Sequence, residues 1–415
     1  MKSSHFAESL RSRRFLVIAA ALVSVAIPIA LAYQVRVQIG HGFSDFQGFY
    51  GAGKIVASGN GANLYDSATQ VRMQRAPKLP GIDTHHYYVH APFEALLFVP
   101  FARLPFELAA WCWWSLGLLF AYAALFVLRP FLPAVQARVE WSLLSVAVFI
   151  PIVVTLIEGQ DSTLTLLIFS ICYVCLVRRH YGLAGGVLAI AMYKPPLALA
   201  MIVQLAISSS ERLKILTGFL ISCVLLLLAA VAAVGWACVI NYPILLTRFP
   251  KVAAGHFHIE DMPNLRGLVT PILEGHASER LILAVVVVLS LVLLAMSIWA
   301  ARKSSGSCES DPRVFALFVA TTLLVGFQEY AYDLSLLFVS ILLIWNWSSK
   351  VELNTPARRM LGYCVVFLLL GSFVVLFSPA VYTCAILFFS ALLCRELLGA
   401  RAAAVAGKEA VQSAV

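Results

Sequence analysis

Eight ionisable side chains could carry chemistry in a chain that is otherwise overwhelmingly apolar: Asp45, Glu94, Glu158, Asp161, Lys194, Arg266, Glu329 and Asp333. By hydropathy each falls at a helix start or a loop edge, and a charge kept beside hydrocarbon is seldom there without a task. Asp45 stands in SDFQGFYGAGKIVASGNGANLYD among Phe46, Phe49 and Tyr50, where a carboxylate could act as a general base or cap the helix that follows. Lys194, in MYKPPLAL, must sit at a helix break because two prolines follow it. It suits a lipid phosphate, or it snorkels to the interface. Glu158-Gly159-Gln160-Asp161 reads as a tight polar link between helices, either functional or a capped turn. Arg266, in MPNLRGL beside Asn264, offers a planar fork to a phosphate or is an exposed loop arginine. Asp333, in YAYDLSLLF, is a sugar-hydroxyl acceptor or another N-cap. His85, His86 and His90 invite a metal reading, but nothing marks their segment as the helix on which the four-residue spacing of His86 and His90 would pair two zinc ligands. Cys172 and Cys175 form a C-x-x-C inside an apolar helix, where packing is the simpler account, so neither metal nor cofactor is expected.

The elements that position these residues follow from composition. The 415 residues are 61% hydrophobic and 12% charged with mean hydropathy +0.88, which excludes a soluble domain, whose charged fraction runs at about 25%. Twelve apolar runs are candidate membrane helices, near 15–33, 106–128, 141–157, 162–178, 182–193, 196–208, 214–236, 281–300, 314–328, 333–347, 360–377 and 380–397. The expected class is an all-α polytopic membrane protein, one integral domain over 1–415. Two segments are too polar to cross: 34–105, a first external loop carrying interfacial helices, and 238–280, a second external loop. Arg11, Arg13 and Arg14 precede the first run, whose length of about 19 residues suits an uncleaved helix with a cytoplasmic N-terminus. With that start every inner link carries at least two basic residues, and both termini fall in the cytoplasm. The net charge of +9 then divides into about 19 Lys+Arg against about 8 Asp+Glu inside, and about 11 against about 13 outside. The positive excess is an orientation signal, and no basic patch with stacking aromatics points to nucleic acid. All eight chemical candidates fall on the external side.

The ordered motifs SDFQGFYGAGKIVASGNGANLYD, YVHAPFEALLFVPFARLP, EGQDSTLTLL, MYKPPLAL, MPNLRGL and YAYDLSLLF resemble those of glycosyltransferase family 87, polyprenyl-phosphate-mannose-dependent mannosyltransferases of bacterial membranes in the GT-C superfamily. The resemblance runs from about Asp45 to Leu337. It implies a GT-C-like bundle with an active site formed by outer loops, located in the bacterial inner membrane. Carried over residue by residue, it makes Asp45 the catalytic base, with Tyr50 and Leu64-Tyr65-Asp66 shaping the first loop. His90, Gln160, Lys194, Asn264, Arg266 and Asp333 would line the donor and acceptor pocket, Lys194 and Arg266 facing the phosphate. His90-Ala91-Pro92 stands where the family pattern has Tyr-Pro-Pro, a departure that bears on loop geometry and acceptor choice.

The implied reaction moves a hexose, most simply mannose, from a polyprenyl phosphate to a hydroxyl of a glycan or glycolipid, with inversion. The partners are then the lipid-linked donor, the acceptor and membrane lipids, with no nucleic acid. No Gly-rich phosphate loop or Asp-x-Asp motif is present, in keeping with a donor that carries no nucleotide. The alternatives are a transporter or lipid flippase with an outward-facing polar cavity, and a non-catalytic scaffold. A transport site would favour internal repeat symmetry, which the two halves do not display.

Overall fold

The computed structural model describes residues 2–37, 44–74, 85–252, 258–304, 309–351 and 355–413. They form helices, short 3-10 turns and connecting loops, with no strand among them. Five helices are long and apolar enough to cross a bilayer: Arg13–Gln34, Phe106–Phe131, Arg212–Val234, Glu279–Lys303 and Pro379–Gly399. A sixth span is available if Val139–Val148 and Ile150–Glu158, bent by 52°, count as one. The bend has a local cause: Pro151 cannot donate into the preceding turn, and Phe149 takes an extended backbone while Ser372 accepts the freed Ile150 N–H at 3.1 Å. Other expected spans fall on shorter helices, among them Ser162–Val177, Pro195–Ser208 and Pro312–Val325, so length supports five or six of the twelve. The segment expected as the second loop begins helically, in Trp236–Val252.

The short helices are buried and the long ones face outward. Pro312–Val325 and Leu337–Ser348 are nearly encased, whereas Arg212–Val234 and Glu279–Lys303 expose Leu220, Leu225, Leu228, Val288 and Leu291 as lipid would require. Helix Tyr181–Ile190 meets Arg212–Val234 through glycines: a Cβ on Gly185 would lie 1.9 Å from the Ile215 carbonyl oxygen, and one on Gly218 1.8 Å from that of Gly182. In the buried interior Gln204 donates to the Phe318 carbonyl at 3.2 Å and to Thr322 at 3.0 Å, and accepts from Ser297 at 2.7 Å. Three helices are thereby tied by one fully satisfied amide.

A smaller aromatic cluster sits on this bundle. Helix Phe46–Ala57 packs Phe46 and Phe49 against Phe98, Phe106 and Trp113, with Gly53 admitting the Phe98 carbonyl where a Cβ would come to 2.5 Å. Asp66 caps the next helix, Ser67–Met73, by accepting from the Thr69 N–H at 2.8 Å. That helix holds the extended segment 85–91 against the cluster, and the segment carries the histidines into the site.

Candidate active site

Asp45 precedes Phe46–Ala57 in the N-cap position, but its own backbone is already helical and its side chain caps nothing. The carboxylate instead faces a cavity of about 510 Å³, together with His85, His86, His90, Glu158, Gln160 and Tyr332. Its Oδ2 accepts from Gln160 Nε2 at 2.5 Å, and its Oδ1 lies 2.8 Å from His86 Nδ1. A carboxylate held at both oxygens has one orientation, and its side chain, 28% exposed, is still reachable. Gly159 makes the Gln160 contact possible. It ends helix Ile150–Glu158 in the left-handed region (φ 66°), gives its carbonyl to the Trp113 indole at 2.8 Å, and lacks a Cβ that would otherwise sit 2.6 Å from Phe46 Cβ.

Beyond this carboxylate lies a buried charge cluster. Lys194 breaks the chain before Pro195, its backbone (φ −113°, ψ 77°) held out of the helical region that a following proline disfavours. Its ammonium lies 2.8 Å from Asp161, donates to Ser162 at 2.6 Å and to Asp333, and stands 5.2 Å from the Tyr332 ring centroid. Asp333 also accepts from Ser162 at 2.8 Å and from the Tyr330 N–H at 3.1 Å. One ammonium therefore joins the starts of two buried helices to the turn after a third. Asp161 and Asp333 serve as ion-pair partners, and Asp161 makes no side-chain cap.

Two further carboxyls are buried beside it. Burial, with Asp161 adjacent, pushes Glu94 up to about 8 against the opposing pull of His90, 3.0 Å away. Burial resists a charge on His90, yet Glu94 outweighs it and raises the imidazole above its usual range. Burial likewise resists the Asp161 charge, but Lys194 holds this carboxyl below the ordinary value. Glu329 goes strongly upward through burial and the neighbouring Asp333. The pattern is one of neutral carboxylic acids set among charged ones, with Glu94 donating to Asp161 when protonated.

His90, Glu94 and Asp161 bring ligand-type atoms within 4.8 Å of one another, the one set among the described residues that could hold a metal. Ammonium and proton compete for it: Lys194 already lies on Asp161, and a proton on Glu94 satisfies the carboxyl–carboxyl contact.

The sequence-selected residues thus separate. Asp45, His90 and Gln160 line the cavity; Lys194 and Asp333 are buried together next to it. Tyr50 lies outside, its hydroxyl donating to the Leu104 carbonyl at 2.9 Å. Asn264 is fully buried, caps helix Leu265–Leu273 by accepting from Gly267 at 2.9 Å, and donates to the Gly326 carbonyl at 3.0 Å. Arg266 spreads over the Phe327 ring at 4.1 Å and lines a separate apolar groove with Val286, Val287, Leu291, Leu324 and Val325. Burial lowers its pKa, and the neighbouring Tyr330, which also lines the main cavity, opposes this. His86, which the sequence offered only as a metal ligand, is the residue whose place beside Asp45 had no distinct signal, and Glu94, one of the eight charged candidates, had been given no partner.

An all-helical bundle with apolar spans and a polar, acid-lined cavity defines an integral membrane protein with the makings of an enzyme. The chain belongs to glycosyltransferase family 87, whose family model matches residues 88–327, so it is a membrane glycosyltransferase, and the GT-C superfamily fits that family. No curated protein and no solved structure matches it. Membership sets aside the transporter and scaffold readings. The matched segment contains His90, Gln160, Lys194, Asn264 and Arg266; Asp45, Tyr50, His86 and Asp333 lie beyond it.

Proposed function

We propose that the protein transfers a hexose, in the first place mannose, from a polyprenyl phosphate to an acceptor hydroxyl at the external face of a bacterial inner membrane, with Asp45 as general base. The observation that carries this reading is the Asp45 carboxylate, held at both oxygens and open to a cavity of about 510 Å³. The acceptor oxygen attacks the anomeric carbon as its proton passes to Asp45. The bond from that carbon to the phosphate oxygen breaks, and the electron pair leaves with the polyprenyl phosphate. A single displacement inverts the centre, so a β-linked donor gives an α-linked product. General-base assistance of this kind contributes typically 10²- to 10⁴-fold.

The two cations first considered for the phosphate divide the work. Arg266 is partly exposed beside an apolar groove, which suits a phosphate on an isoprenoid chain. Lys194 is committed to Asp161 and Asp333 and acts by holding the turn that carries Gln160. His90, with its ring against Phe49 at 4.9 Å, and the exposed faces of the cavity tyrosines suit a sugar acceptor. The topology that fits has twelve spans with both termini in the cytoplasm.

The test is transfer by the reconstituted protein from polyprenyl-phosphate mannose to candidate acceptors, wild type against Asp45→Asn. Loss of transfer with retained folding is expected. Full activity in the variant removes Asp45 from the role.

A further inference from the structure

The extended segment carrying His86 is fastened in an unusual way. Gln74, just past helix Ser67–Met73, donates its amide to the His86 carbonyl at 2.6 Å and accepts the His86 N–H at 3.2 Å. One turn earlier Gln70 does the same for Tyr88, donating at 3.0 Å and accepting at 2.9 Å, and also donates to the Leu64 carbonyl at 2.8 Å. The spacing is a geometric match: four helical residues advance about 6 Å and two extended residues about 6.6 Å. Two glutamines four apart can therefore read the backbone of residues 86 and 88 as a neighbouring strand would. On the other side Gly48 closes the clasp, since a Cβ there would lie 2.6 Å from the His86 carbonyl oxygen.

So much fastening of a cavity-lining segment fixes where the imidazole points, and it points at Asp45 Oδ1, 2.8 Å away. Gln160 already donates to Oδ2. The Nδ1 atom facing a carboxylate must carry its proton, so both oxygens accept a hydrogen bond and the carboxylate plane is set from two sides.

We propose that His86 is a positioning residue for the glycosyl transfer, held by the Gln70–Gln74 clasp and donating from Nδ1 to Asp45, so that the carboxylate presents a fixed lone pair to the acceptor hydroxyl. This rests on Asp45 being the base. It assigns work to His86, Gln74 and Gly48, which lie outside the matched family segment, and it explains why an extended segment beside an acidic cavity is clasped by two buried side-chain amides.

The experiment uses the full chain in proteoliposomes, with His86→Ala, His86→Asn, Gln74→Ala and Asp45→Asn, each checked for thermal stability. His86→Ala should lower kcat about 10- to 100-fold with KM within about 3-fold, because a base misplaced by about 1 Å loses alignment rather than substrate binding. His86→Asn should recover most of that loss, since its amide N–H falls near the Nδ1 position. Gln74→Ala should lower kcat in the same direction, less steeply. Wild-type kcat in His86→Ala overturns the inference. So do equal losses in His86→Ala and His86→Asn with a raised KM, which would make the ring a wall of the cavity. If Asp45→Asn transfers normally, the base assignment fails and this inference falls with it. If Asp45→Asn is inactive while His86→Ala is not, only the positioning role fails.

Discussion

Substituting Lys194 by Met separates a structural lysine from a phosphate ligand. Among the described residues the ammonium bridges Asp161 and Asp333 directly, the His90 imidazole stands 3.9 Å from Asp161, and the lysine and both aspartates are nearly inaccessible to water. Met keeps the length and removes the charge, which leaves two buried carboxylates without their shared cation, with Ser162 remaining as a neutral donor to Asp333. They can respond by taking up a proton. Neutralising a carboxyl of ordinary pKa, near 3.9, at pH 7 costs about 3.1 × 1.36, or about 4 kcal/mol. That agrees with the 3 to 5 kcal/mol typical of breaking a buried pair from one side. With an unfolding entropy of about 2 cal/mol/K per residue, 415 residues convert this into a fall in Tm on the order of 5 °C. The assay is thermal unfolding of the detergent-solubilised protein by intrinsic tryptophan fluorescence. Adding Asp161→Asn and Asp333→Asn to Lys194→Met should return most of the lost stability, because the uncompensated charges are then gone. An unchanged Tm in Lys194→Met, combined with a donor KM raised tenfold or more, refutes this reasoning and puts the ammonium on the donor phosphate.

Four further outcomes are expected. Gly159→Ala forces a left-handed backbone on alanine and drives a methyl into Phe46, so it should cost about 1 to 3 kcal/mol and reduce kcat by moving Gln160 off Asp45; equal stability and rate would deny the turn its role. Arg266→Ala should raise the donor KM about tenfold with little change in Tm, because the side chain is partly exposed and donates to the Phe327 carbonyl at 3.2 Å; a donor KM that does not move would exclude the groove as the donor site. The native state holds the Glu94 proton up to about pH 8 whereas the unfolded chain releases it near 4.5, so this proton favours folding at low pH and its contribution is lost as pH rises through 8. The slope is at most about 1.4 kcal/mol per pH unit between those values, and Glu94→Gln should flatten it in unfolding curves taken from pH 5 to 9. Chelation by EDTA should leave transfer intact, since Lys194 and the Glu94 proton compete for the carboxylates that a metal would need; loss of activity restored by a divalent ion would reverse that view.

Much of this protein is legible before folding because the bilayer is a harsh and simple solvent. Apolar runs and prolines declare helices and breaks one segment at a time, and each depends on neighbours only a few residues away. That is why the break at Lys194 and the turn at Gly159 could be read from local pattern. Span counting was weaker: helices such as Pro312–Val325 are buried inside the bundle, where neighbouring helices rather than their own length satisfy them. Residue types also left Asp161 and Asp333 open as N-caps, because a cap and an ion pair use the same side chain and differ only in what lies across the gap.

The amino-acid order by itself determined a helical membrane protein, its breaks and a short roster of charged candidates. Only the tertiary structure decided their partners: Lys194 with Asp161 and Asp333, from segments 33 and 139 residues apart in the chain, and Asp45 with His86 and Gln160. The physical reason is range. Helix formation is settled within a turn or two of the backbone, whereas a hydrogen bond or ion pair across about 3 Å depends on how whole helices pack, and packing is fixed by glycines, aromatics and buried amides scattered along the chain.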